Sequence, residues 1–114
     1  MQRPDLIRLE HMRDAAREAV TFMRGRTRAD LNTDRMLVLA VVKAIEIIGE
    51  AASRVSAAGQ AEAPELPWRQ IVAMRNRLIH AYFDVDVDVV WSTVHQELPG
   101  LIADLEQALQ RAQP

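Results

Sequence analysis

Apolar side chains recur at steps of three and four along most of the 114 residues. Leu6, Leu9, Met12, Ala16, Val20 and Met23 line one face of a predicted first helix. Pro4 stands at its start, where a missing N–H does least harm, and Gly25 ends it. Asn32 or Thr33 is expected to cap a second helix, from Met36 to about Val55. That helix is apolar on most sides, broken by Lys43, Glu46 and Glu50, so it is central or faces a partner subunit. Gly49 inside it points to close helix packing, since a mid-helix glycine costs about 1 kcal/mol against alanine.

Residues 57–67 read as the one clear loop. A third helix is predicted from Pro67-Trp68 to about Tyr82. Asp84 or Asp86 then caps a fourth, whose stripe runs Val87, Val90, Trp91, Val94, Leu98, Leu101, Ile102, Leu105, Leu109. Pro99-Gly100 predicts a kink or a short fifth helix there. The alternation from Phe83 to Val89 has the period of a strand, but no second strand candidate is evident, so it is assigned to helix and turn. The expectation is an all-α, up-and-down four-helix bundle forming one domain over residues 1–114.

Composition narrows the function classes. A chain that is 49% apolar and 26% charged is globular rather than disordered. Without cysteine there is no disulfide, thiolate nucleophile or sulfur-ligated zinc. The longest apolar run, Met36–Val42, is too short to span a bilayer, and no signal-like run opens the chain, so a cytoplasmic protein with no membrane partner is expected. Net charge is −2, which argues against a broad duplex-binding face. Charge is nonetheless uneven: residues 1–35 carry eight Arg against six acids, whereas residues 84–114 carry six acids against Arg111 alone. A local phosphate site stays open. The Arg24–Arg28 loop reads as a solvated helix end.

The third helix carries the candidate chemistry. Trp68, Ile71, Val72, Leu78 and Ile79 form an apolar stripe, yet Arg75 falls near its middle. An unpaired buried guanidinium would cost several kcal/mol. Arg75 therefore meets Glu46 or Glu50 in a buried pair, or the stripe opens onto a polar cleft. His80 is placed in the last helical turn, four residues beyond Asn76, where an imidazole can take and return a proton. His11 and His95 lack partners at ligand spacing, and no metal motif or cofactor motif is present. Asp84, Asp86 and Asp88 do not make a calcium loop, because Val89 and His95 stand where glycine and glutamate are needed.

Arg75-Asn76-Arg77-Leu78-Ile79-His80-Ala81-Tyr82 reads Arg-x-x-x-x-His-x-Tyr, followed by Phe83-Asp84-Val85-Asp86 and Val90-Trp91. Together with Ile48-Gly49-Glu50-Ala51-Ala52, Pro67–Met74 and Leu98-Pro99, it resembles the HEPN superfamily, specifically the HepT-like toxins of toxin–antitoxin pairs. The resemblance implies a homodimeric, metal-independent endoribonuclease with RNA as substrate and two motif copies lining one interface cleft. It implies that His80 is the acid–base group, that Arg75 stabilises charge on the phosphate, and that Asn76 orients one or the other. It further implies a cognate nucleotidyltransferase antitoxin that transfers AMP to Tyr82. Two other readings are a non-catalytic subunit presenting Tyr82 to that nucleotidyltransferase, and a helical dimerisation module with Arg75 paired to Glu50.

Overall fold

A computed structural model describes residues 1–81 and 84–112. The described residues are overwhelmingly helical, as the periodicity predicts. Helix α1 (Arg3–Met23) buries Leu9, Met12, Ala15, Ala16, Ala19 and Met23. Full burial of a side chain such as Leu9 or Met12 contributes about 1.5–3 kcal/mol. Beyond Met23 the chain turns at Gly25, whose φ of +75° suits a residue without Cβ.

A single turn, α2 (Asp30–Thr33), leads into α3 (Arg35–Ser53). The cap of α3 is Asp34, not Asn32 or Thr33: its carboxylate accepts the Leu37 amide at 3.0 Å. Asn32 and Thr33 are taken up in the preceding turn. Helix α3 packs on α1 and on the two short helices that follow between residues 68 and 78. Its outer face leaves Met36, Leu39 and Ile47 exposed in one strip with Lys43.

The expected loop at 57–67 contains a short helix, α4 (Ala57–Glu62). Ser56 caps it, accepting the Gly59 amide at 3.0 Å. Asp5 of α1 in turn accepts the Ser56 amide at 2.9 Å and its hydroxyl at 2.6 Å. A capping serine and a long-range carboxylate partner thus override a composition that reads as loop.

The third helix is not continuous to Tyr82. It is split into α5 (Trp68–Val72) and α6 (Met74–Leu78), parted at Ala73. The chain then becomes extended: β1 (Ile79–Ala81) pairs antiparallel with β2 (Asp84–Val85), with an irregular register. The Asp86 amide donates to the Leu78 carbonyl at 2.6 Å and closes this hairpin. The strand period in Phe83–Val89 was therefore partly real. Its partner lay within residues that the apolar stripe assigned to helix.

Asp86 caps α7 (Val87–Ser92) through the Val89 amide at 3.2 Å. A π-helical turn (Thr93–Glu97) follows, then α8 (Leu98–Ala112), which packs on α1. The irregularity expected at Pro99-Gly100 lies just upstream of it. Pro99 stands in the first turn of α8, where a proline is tolerated. Among the described residues no helix is long and apolar enough to cross a membrane.

Candidate active site

The buried face decides where Arg75 goes. Ile71, Met74 and Leu78 turn inward at steps of three and four, whereas Val72, Arg75, Asn76 and Arg77 are exposed. Arg75 therefore does not sit on the buried stripe. Its Nε meets Glu46 Oε1 of α3 at 3.2 Å, with the two side chains 49% and 31% exposed. The expected buried ion pair is a half-exposed one. Glu50, the other candidate, is engaged by Arg54 at 2.9 Å.

Arg75 and Glu46 help line an open pocket of about 430 Å³ between α1, α3 and α6. Arg8 and His11 reach it from α1, Lys43 and Glu50 from α3, and Arg54 from the residue just past the end of α3. His11 has no partner at ligand spacing in the sequence; only the packing of α1 on α3 brings it to the pocket that Arg75 also lines.

His80 is on β1, not in a helical turn, and its side chain is 61% exposed. Its Nε2 lies 3.0 Å from Asp86 Oδ2. A carboxylate only accepts, so Nε2 carries the hydrogen and Nδ1 is the unprotonated nitrogen of the neutral ring. The Val89 amide, first, and the His80 ring hold the Asp86 carboxyl below the usual carboxylate range. Asp86 was legible as a cap, but its grip on His80 depends on the hairpin and was missed.

His80 does not line the Arg75 pocket, so one chain presents the guanidinium and the imidazole on separate features. Asn76 is exposed, and because α6 ends at Leu78 it shares no helical flank with His80. Arg77 pairs with Glu97 at 3.1 Å. Tyr82 lies outside the described residues. His95 has a structural place: its Nδ1–H donates to the Trp91 carbonyl at 2.9 Å, and its ring stacks on Trp91.

A family model described as Ribonuclease HepT-like matches residues 12–108, which include both α3 and the Arg75–His80 segment. The chain belongs to this family. Its HepT-like relatives include the probable ribonuclease HepT of Thermococcus cleftensis, 39% identical over 99 residues, covering 87% of this chain and 90% of the relative. A protein of Caldanaerobacter subterraneus subsp. tengcongensis, named as a candidate RNase, is 32% identical over 103 residues, covering 90% and 92%. A similarly named protein of Methanocaldococcus jannaschii is 30% identical over 93 residues, covering 82% and 85%. No solved structure matches the HepT-like chain.

Proposed function

We propose that this HepT-like ribonuclease is the toxin of a toxin–antitoxin pair, a cytoplasmic endoribonuclease that cuts RNA without a metal. The observation that carries the reading is the exposed His80 ring held by Asp86, five residues after an arginine that borders a basic pocket. His80 Nδ1 takes the proton of a ribose 2′-OH. The 2′ oxygen attacks the adjacent phosphorus, the bond to the 5′ oxygen breaks, and the His80 imidazolium returns the proton to the leaving 5′ oxygen. The products are a 2′,3′-cyclic phosphate and a 5′-hydroxyl. Asp86 keeps the ring in the acting tautomer, as a carboxylate does for a catalytic histidine generally. Arg75 neutralises charge developing on the phosphate, and Asn76 orients the phosphate beside it. The internal nucleophile supplies proximity, so positioning and proton transfer suffice.

Because Arg75 and His80 open onto separate features of one chain, the working site is a cleft between two subunits. The exposed apolar Met36 and Leu39 at the start of α3, outside the basic pocket, support a homodimer. The cognate nucleotidyltransferase antitoxin neutralises the enzyme by placing AMP on Tyr82, adding bulk and negative charge near the site.

His80→Ala should lower RNA cleavage by about 10²–10⁴-fold and relieve growth arrest when the protein is expressed alone, with the dimer intact. A wild-type protein that is harmless alone and cuts no cellular RNA overturns the enzyme reading. It would leave a non-catalytic subunit that presents Tyr82 to the nucleotidyltransferase. Intact mass after coexpression with that enzyme should rise by multiples of an adenylate and stay unchanged for Tyr82→Phe.

A further inference from the structure

We infer that the pocket between α1, α3 and α6 anchors an RNA backbone phosphate flanking the scissile one, with Arg8, Lys43 and His11 as its contacts. The inference deepens the proposed function, since it takes Arg75 as the residue at the scissile phosphate.

Charge is the first reason. The chain as a whole is net negative, at −2, yet this pocket gathers Arg8, Lys43, Arg54 and Arg75 against two carboxylates. Both carboxylates are already engaged, Glu46 by Arg75 and Glu50 by Arg54. Among the described residues Arg8 and Lys43 have no carboxylate within ion-pair distance. Three elements far apart in sequence therefore converge on a surplus of positive charge, and a concave wall focuses such a field.

Shape and chemistry give the ligand class. About 430 Å³ lies within the range of small-ligand sites, roughly 300–1,000 Å³. The lining offers side-chain donors but no Phe, Tyr or Trp. Bases are usually gripped by stacking on aromatic rings. A pocket with cations and without such rings suits the sugar–phosphate backbone, and backbone contacts set position without reading sequence. His11 adds a ring N–H donor to the same wall. Arg75 lines the same pocket, so a strand with its scissile phosphate on Arg75 can pass its neighbouring phosphate toward Arg8 and Lys43.

The probe is a short single-stranded RNA with every 2′ oxygen methylated, which cannot be cleaved by internal attack. Its affinity is measured by fluorescence anisotropy against salt concentration. Arg8→Gln/Lys43→Gln should weaken binding several-fold and reduce the slope of log K against log salt by about 0.7, the value for one lost phosphate contact. The control, Arg17→Gln/Arg111→Gln, removes the same charge outside the pocket and should leave most of the slope. Equal slopes for the wild type and the pocket variant, or a wild type that does not bind, overturn the inference. Cleavage of unmodified RNA separates the two readings. Active wild type with an indifferent pocket variant removes the anchor and leaves the ribonuclease. Pocket-dependent binding without cleavage removes the ribonuclease and leaves the anchor.

Discussion

Asp86 accepts from His80 through Oδ2 and from the Val89 amide through Oδ1, so one carboxylate both aims the imidazole and starts α7. These two duties separate by substitution. Asp86→Asn keeps a good cap, so thermal stability should change little. It no longer enforces the Nε2–H tautomer. We expect kcat for RNA cleavage to fall at least tenfold with KM nearly unchanged, measured at saturating and limiting RNA. Asp86→Ala should add a stability loss of about 1 kcal/mol from the missing cap.

Acid sensitivity should centre on Asp5. The Ser56 hydroxyl, first, and the Ser56 amide hold its carboxyl below the ordinary value. A folded-state pKa below the unfolded one gives stability that is complete above the unfolded value, about 3.9, and is lost as pH falls through the folded one. Asp86 acts in the same direction. Thermal unfolding followed from pH 5 downward should show a shallower acid loss for Asp5→Asn than for wild type. An unchanged acid slope would remove Asp5 from the account.

Two buried glycines should answer alanine oppositely. A Cβ on Gly59 would lie 2.5 Å from Asp5 Oδ2 and 2.9 Å from Val55 Cγ1. Gly59→Ala should therefore destabilise by about 1–3 kcal/mol, because Asp5 is fixed by Ser56 and cannot yield freely. At Gly49 the nearest atoms are the Ile71 and Val72 carbonyl oxygens, each at 3.4 Å. Gly49→Ala should stay within about 1 kcal/mol of wild type, helix propensity offsetting the tight contact. Denaturant melts of the two variants decide this.

The Arg75–Glu46 pair is half-exposed, so it should contribute no more than about 1 kcal/mol. Arg75→Gln should leave the melting curve nearly in place and lower cleavage by about 10²–10³-fold. Glu46→Gln should also melt normally, and it should bind single-stranded RNA more tightly. Strong destabilisation by either would mean that the pair is structural after all.

What was legible in the sequence follows from range. The stripes of α1 and α8 are local periodicities, and Leu9, Met12, Leu101 and Leu105 are buried as their spacing requires; α3, read as apolar on most sides, buries Val41 and Ile45. Gly49 was legible as a close-packing residue, and Ile71 and Val72 of α5 supply the near neighbours. The hairpin was not legible, because Ile79 continues the apolar phase of Leu78 and hides the change of backbone at β1. The motif residues Arg75 and His80 stood out through resemblance, but their partners did not. Glu46 was one of two candidates, Asp86 needed the hairpin, and Arg8, His11 and Lys43 meet only when α1 lies on α3.

The π-helical turn at Thr93–Glu97 holds one residue more than regular helical winding would use there. That surplus makes it a seam of tolerated length. Removing one residue from it lets Val90 upstream and Leu98 downstream keep facing inward on an uninterrupted α-helix. The same deletion in the middle of α1 or α3 would swing every later side chain by about 100° and take the core apart.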